Sequence, residues 1–272
     1  MAIPRPWRRC YAQCEYNASA SELLLDRRPP LVLSHWDSDH WAGAQHDRHA
    51  LTRTWVAPRQ PLGPTHTAFA NNILKNGGRL LIWPSGPTQP PITWQINPAQ
   101  QLTIGRCSGS DRNGSGLAMR IDDRSSASLR HWLLTGDAGY HQLPFPLSGD
   151  VVAAAVPHHG ATMPEARSVP GRPSSAYARL VFSFGPGNQH GSQPVGHPTS
   201  YAVQTHEDNG WDVGTWSGQA TPGDTVAGGD VLATAKHTSS HLGGCIAGWT
   251  SAPTPIRRPC RGVGCTTELL QS

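Results

Sequence analysis

The chain has few charged residues for its length and no long apolar run. Lys, Arg, Asp and Glu make up 15% of the 272 residues, and the net charge is only +4. A dedicated nucleic-acid-binding protein usually carries a denser basic surface, so the charge permits a phosphate-bearing substrate without indicating one. No apolar run approaches the roughly 20 residues that a membrane-spanning helix needs. We therefore expect no membrane association.

Secretory and disulfide signals are also lacking. The N-terminal segment MAIPRPWRRCYAQCEYNASASELLL has basic residues but no apolar stretch of the kind found in signal peptides, so we expect a soluble, cytoplasmic protein. No C-x-x-C pair occurs, which favours free thiols, while a small zinc site remains the alternative for Cys10, Cys14, Cys260 and Cys265. The other two cysteines are Cys107 and Cys245.

Glycine and proline, by contrast, are abundant. The 29 glycines and 25 prolines favour a loop-rich fold over a helical bundle. The length suits a single large domain. We expect an irregular lead-in over 1–21, one domain over 22–235 and a loose or disordered tail over 236–272.

Short apolar segments separated by Gly, Pro, Asn and Asp predict a series of strands. They are 31–33, 80–83, 92–96, 101–104, 116–121, 131–135, 151–156 and 180–184, with further strand-like pieces in 211–235. Segments 65–75 and 199–209 predict helices, the first ending at Gly77 and Gly78. Four of the strands are followed by a histidine or an aspartate, so chemistry is expected where strands end.

The densest chemical signal is HWDSDH at 35–40, directly after the first predicted strand. Alternate residues of an extended segment share a face, which groups His35, Asp37 and Asp39, and a turn would bring His40 beside Asp39. Imidazole and carboxylate without thiolate favour a divalent cation such as zinc, manganese or iron. Packing gives no reason for four such residues here, so we expect them to bind metal, with two ions.

Later strand ends supply further residues of the same types. Asp137 follows a strand and a glycine, where it could bridge two ions, and His158 or His159 follows the next strand. Taken singly, an Asp after Gly is commonly a turn residue, and paired histidines are often solvated or satisfied core groups. Taken with the first cluster, they predict a two-metal site of the kind that supports hydrolysis.

Five motifs in this order resemble the metallo-β-lactamase fold, and specifically the hydrolase domain of ComEC-type competence proteins. In that family an HxDxDH cluster is followed by an Asn/Ser strand motif, a strand ending in TGD, a strand ending in HHGS and a loop ending in GHP. The likeness covers about residues 22–218, with HHGA in place of HHGS. The matching segments are HWDSDH at 35–40, DRNGSGLAMRI at 111–121, LLTGDAG at 133–139, VPHHGAT at 156–162 and FSFGPGNQHGSQPVGHP at 182–198.

The resemblance implies an α/β fold, an αββα sandwich of two mixed sheets. Compared with that family, we expect the strands that usually precede the metal loop to be missing or replaced by residues 1–30. It further implies that one ion is held by His35 and Asp37 and the second by Asp39 and His40, with Asp137 bridging. His158 or His159 would complete a shell, and His158 is preferred. The implied metal ligands are His35, Asp37, Asp39, His40, Asp137 and His158, and the implied catalytic residues are Asp39, His159 and His197.

The activity implied by this family is that of a dinuclear metal-dependent hydrolase. We expect a phosphodiesterase or nuclease-like enzyme with two zinc or manganese ions as cofactors, acting on a phosphodiester such as DNA. One alternative is hydrolysis of a small ester, lactone or thioester by the same site. Another is a truncated, non-catalytic member that binds metal without turnover. The sequence leaves the oligomeric state open.

Overall fold

The computed structural model describes residues 28–84, 89–163, 168–174, 178–183, 197–213, 230–235 and 245–247. Of these, 28–84 belong to one compact unit and 89–235 to a second. The helices are α1 (Arg48–Leu51), α2 (Pro64–Lys75) and α3 (Ser200–Asp208). The strands are β1 (Leu31–Val32), β2 (Thr54–Pro58), β3 (Arg79–Trp83), β4 (Ile92–Asn97), β5 (Gln100–Arg106), β6 (Leu117–Asp123), β7 (Arg130–Leu134), β8 (Asp150–Ala155), β9 (Arg179–Phe182), β10 (Val231–Ala235) and β11 (Cys245–Ala247).

The first unit contains a three-stranded sheet in the order β1-β2-β3. All its pairings are parallel, with Leu31 opposite Trp55 and Thr54 opposite Arg79. Helix α2 connects β2 to β3 and ends at Lys75, and Gly77, two residues later, has a φ of +82° that suits the left-handed turn that closes many helices. The apolar face of α2 packs into a core rich in tryptophan. That core includes Leu33, Trp36, Trp41, Trp55, Phe69 and Ile73.

The second unit contains most of a larger sheet in the order β11-β10-β9-β8-β7-β6-β5-β4. Strands β4 to β7 are antiparallel, whereas β7, β8, β9 and β10 run parallel. Strands β8 and β9 are largely apolar and have buried side chains on both faces, as is usual for parallel strands. Because β7 to β10 run parallel, their carboxyl ends lie at the same end of the sheet. The core includes Leu133, Val151, Ala154, Leu180, Phe182 and Trp211.

A buried polar network joins β6 to β7 inside the second unit. His131 Nδ1 donates to Asp122 Oδ1 at 2.7 Å, and the backbone N–H of Gly149 donates to His131 Nε2 at 3.1 Å. Burial lowers the pKa of His131, although the Asp122 hydrogen bond favours its protonated form. Burial also opposes ionisation of Asp122, but hydrogen bonds from Arg120 and Gln101 hold the pKa of that carboxyl below its usual value. His131 is therefore a neutral structural histidine.

Every predicted strand and helix within the described residues is confirmed, with ends within two residues of expectation. Strand β2 was missed, although its sequence TWVAP buries Trp55 and Ala57 in the alternation typical of a strand. The expectation of two mixed sheets is confirmed for the larger sheet and wrong for strands β1 to β3, which are all parallel. The lead-in at 1–21 lies outside the described residues, as does the tail at 236–272 except for β11.

None of the helices that the structure describes has the length and apolar character to cross a bilayer.

Candidate functional site

The first group of candidate ligands lies in the loop that follows β1. His35 is fully buried, with 0% of its surface exposed, and Ser38–His40 form a single 3₁₀ turn. His35 Nε2 lies 3.6 Å from Asp37 Oδ2, and His40 Nε2 lies 3.7 Å from Asp39 Oδ2. The two imidazole rings are 4.0 Å apart between centroids. The loop therefore presents two His–Asp pairs side by side, and they are the pairs expected from the sequence.

A serine hydroxyl connects the two histidines. Ser34 Oγ is 3.2 Å from His35 Nδ1 and 3.0 Å from His40 Nδ1. A hydroxyl oxygen can accept two hydrogen bonds, so both Nδ1–H groups can donate to it. In that arrangement both Nε2 atoms carry a lone pair, which is the state that binds a metal ion. Ser34 was not among the residues predicted from the sequence, and only its position before His35 could have indicated it.

Two tryptophans hold this loop in place. Trp36 Nε1 donates to the carbonyl of Pro58 at 2.9 Å, and Trp41 Nε1 donates to the carbonyl of Trp36 at 2.9 Å. Trp41 also stacks on Phe69 of α2, with ring centroids 4.4 Å apart. These contacts fix both ends of the HWDSDH segment against β2 and α2. A loop anchored in this way can keep its ligands in a set geometry.

The second group of candidate ligands lies at the carboxyl ends of β7 and β8. Asp137 is buried, with 5% of its surface exposed, and follows Gly136, whose φ is +60°. His158 Nε2 lies 3.6 Å from Asp137 Oδ2, and His159 Nε2 lies 3.8 Å from Asp137 Oδ1. The backbone N–H of His158 donates to the carbonyl of Gly136 at 3.2 Å, which connects the two loops directly. Parallel pairing of β7 with β8 thus brings both loops to one place.

The histidine loop adopts an uncommon backbone conformation. Three consecutive residues have positive φ: His158 at +48°, His159 at +55° and Gly160 at +85°. For a residue other than glycine this conformation costs roughly 1–2 kcal/mol. Such strain concentrates at functional sites, where the surrounding structure maintains it. Here it turns both imidazoles toward the same carboxylate.

Contacts with neighbouring segments position His159 and His197. His159 Nδ1 lies 2.5 Å from the carbonyl oxygen of Ser183 after β9 and must donate to it, so in the neutral ring the lone pair is on Nε2, which is on the side of Asp137. The His197 ring lies 5.5 Å from that of His158 between centroids. The backbone N–H of Thr199 donates to the carbonyl of Gly160 at 2.8 Å, which ties the His197 segment to the histidine loop. Residues 184–196, between Ser183 and His197, lie outside the described residues.

The distances within both groups fit metal ligation better than hydrogen bonding. The four N to O separations run from 3.6 to 3.8 Å. A hydrogen bond of this type is about 2.7–3.2 Å long. Two ligands that are each about 2.1 Å from one ion, and about 109° apart, lie about 3.4 Å from each other. The donor set, imidazole nitrogen and carboxylate oxygen without thiolate, suits zinc or manganese.

A small apolar pocket beside the histidine loop was not predicted. Its lining includes Tyr140, Pro157, Met163, Tyr201 and His206. Tyr140 and His206 are hydrogen-bonded at 3.1 Å, and His206 Nδ1 also donates to the carbonyl of Ala202 at 2.7 Å. Burial raises the pKa of Tyr140 and lowers that of His206, so both groups are neutral. Neither residue has a spacing in the sequence that would have identified it.

Comparison of the chain with protein-family models, with curated proteins and with solved structures found no match.

Proposed function

We propose that this chain is a dinuclear metal-dependent hydrolase of the ComEC-like metallo-β-lactamase type, with an αββα sandwich fold, and that it acts on phosphodiesters. The observation that carries the proposal is the set of three His–Asp separations among the proposed ligands, 3.6, 3.7 and 3.6 Å, each of which matches two ligands of one ion. The order of the five sequence motifs supports the family. A cytoplasmic location, expected from the sequence, belongs to the same proposal.

The proposed cofactors are two divalent ions, zinc or manganese. When bound, such ions lower the pKa of a coordinated water and neutralise charge that develops on phosphate oxygens. The residues proposed to hold them are His35, Asp37, Asp39, His40, Asp137 and His158. Each of these side chains offers a nitrogen or a carboxylate oxygen close to another ligand-type atom of its own unit. Ser34 orients two of the histidines through their Nδ1 atoms.

Three side chains are proposed to act on the reacting groups. Asp39 is exposed, which suits a carboxylate that orients an attacking water. His159 has its Nδ1 proton committed to Ser183, so its Nε2 can accept a proton and pass it to a leaving group. His197, next to His158, is placed to contact substrate oxygens. These roles correspond to general acid–base assistance and to substrate positioning.

Metal analysis of the purified chain tests the proposal. After loading with zinc or manganese and removal of free metal, we expect about two equivalents to remain bound. Asp37→Ala and Asp137→Ala should each lower that content, whereas Asp208→Ala, an exposed aspartate at the end of α3, should leave it unchanged. A folded chain that retains no metal contradicts the proposal and supports a non-catalytic role.

The substrate class requires a separate assay. The loaded protein is given bis-p-nitrophenyl phosphate, single-stranded DNA and a panel of lactones. Hydrolysis of the phosphodiesters that is lost in Asp37→Ala supports the proposal. Hydrolysis of lactones alone would keep the metal site but replace the phosphodiester substrate with a small ester or lactone.

A further inference from the structure

Strand β4 forms one edge of the larger sheet. It pairs with β5, and no other strand among the described residues pairs with it. All six of its residues are exposed. Ile92, Trp94 and Ile96 stand at alternate positions of the strand, and their exposed fractions are 38%, 45% and 54%. Ile96 lies at the register shift between Gln95 and Asn97. The strand therefore presents both an open backbone edge and a row of large apolar side chains.

Of the features that usually prevent association, this edge has only a register shift near its carboxyl end, between Gln95 and Asn97. Natural edge strands are commonly protected by charged residues, by proline or by a bulge that turns the edge away. The chain has 22 basic and 18 acidic residues, yet none lies between Arg79 and Arg106. Proline flanks the strand at Pro91 and Pro98 but does not occur within ITWQIN, so every residue of β4 keeps its backbone N–H. Two such edges can approach without repulsion between like charges.

The sequence of β4 is complementary to itself in one antiparallel register. Residues that face each other across an antiparallel pair lie on the same side of the sheet. With a two-fold axis at Trp94, Ile92 of each copy faces Ile96 of the other, and the two Trp94 side chains face each other. An axis at Gln95 would instead place Ile92 opposite Pro98. Only the Trp94 register pairs all three apolar residues with one another.

We propose that β4 pairs antiparallel with β4 of a second copy of this chain, around a two-fold axis at Trp94. Closed two-fold pairing is the commonest form of self-association, because one patch serves both partners. Pairing would extend the sheet across the dimer and cover the row of Ile92, Trp94 and Ile96. A single edge of six residues buries less than the roughly 800 Å² per partner of a standard interface, so a weak dimer is expected. None of the proposed metal ligands takes part, so the proposal is independent of the hydrolase function.

Sedimentation velocity over a range of concentrations, on the full chain, tests this interface. We expect the wild-type chain to dimerise at high concentration. Ile92→Lys alone and Ile96→Glu alone should each raise the dissociation constant at least about tenfold, because a charge then faces an apolar side chain. Leu81→Lys on β3 is the matched control, with 47% exposure in the wild-type residue, and it should leave dimerisation unchanged.

The double variant Ile92→Lys/Ile96→Glu tests the register. In the proposed dimer each lysine faces a glutamate of the other copy, so dimerisation should recover to near the wild-type constant. Circular dichroism confirms that each variant is folded. A wild-type chain that stays monomeric at the highest attainable concentration overturns the proposal. So does a dimer that persists in both single variants, or a double variant that stays monomeric.

Discussion

His159 donates a hydrogen bond from Nδ1 to the carbonyl oxygen of Ser183, 2.5 Å away, across 24 residues of sequence. In the neutral ring this bond fixes the tautomer and places the lone pair on Nε2, which lies 3.8 Å from Asp137 Oδ1. The neighbouring His158 approaches the other carboxylate oxygen at 3.6 Å. The Nε2 atoms of two adjacent histidines thus lie near the same aspartate, each beside a different carboxylate oxygen.

The roles proposed for these two histidines predict different losses. His158→Ala should lose bound metal, because His158 is the proposed ligand. His159→Ala should retain metal but lose turnover by about 10²–10⁴-fold, the usual contribution of a general acid or base. Metal content and kcat, measured on the same preparations, separate the two effects. The reverse result, with metal lost in His159→Ala and retained in His158→Ala, would exchange the roles.

The hydroxyl of Ser34 provides a prediction for the first group. Ser34→Ala removes the acceptor between the Nδ1 atoms of His35 and His40. Partners that orient metal-binding histidines are worth about 10–100-fold in metal affinity, and we expect a loss in that range. Competition with a metal chelator measures it. Ser38→Ala, an exposed serine in the same loop, is the control, and an equal loss there would contradict the proposed role of Ser34.

Gly160 gives a prediction about strain in the histidine loop. Its φ is +85°, and an added Cβ would lie 2.5 Å from Pro198 Cβ, so Gly160→Ala should destabilise the fold by about 1–3 kcal/mol. Gly77→Ala, at φ +82° with no atom within 4 Å, should cost only the conformational part, about 1 kcal/mol. Gly171→Ala meets no neighbour and serves as the baseline. Urea denaturation checks the order, and equal costs for all three variants would contradict it.

The neutral state of His131 predicts how stability depends on pH. Its pKa is lower in the folded chain than in the unfolded chain, mainly because of burial. Below the unfolded value of about 6.5 the unfolded chain binds more protons, so the free energy of unfolding falls as pH falls. The slope from one such histidine reaches about 1.4 kcal/mol per pH unit.

Urea denaturation between neutral and mildly acidic pH measures this slope. His131→Asn should reduce the slope and leave the contribution of His206, whose pKa burial also lowers. An unchanged slope in the variant would show that His131 is not the group responsible. An increase in stability on acidification would contradict the direction of the shift.

Local patterns in the sequence were enough to predict most of the elements. Strands such as β7 and β8 were predictable because they are short apolar runs bounded by glycine, proline and aspartate. Strand β2 has a short apolar sequence, TWVAP, in which buried and half-buried residues alternate, and it could have been predicted by the same kind of local pattern. The parallel arrangement of β1 to β3 was not predicted, because strand direction depends on pairing between distant segments.

The sequence by itself determined which residue types stand at the candidate site: four potential ligands in HWDSDH, then Asp137, and two histidines after β8. The tertiary structure alone decided that Ser34 bridges two imidazoles, that Ser183 fixes the tautomer of His159, and that the Ile92, Trp94 and Ile96 row is exposed. The physical reason is the separation along the sequence of the residues that interact. Element formation follows from neighbouring residues, whereas tautomer, backbone strain and exposure follow from contacts between segments that only the folded chain brings together.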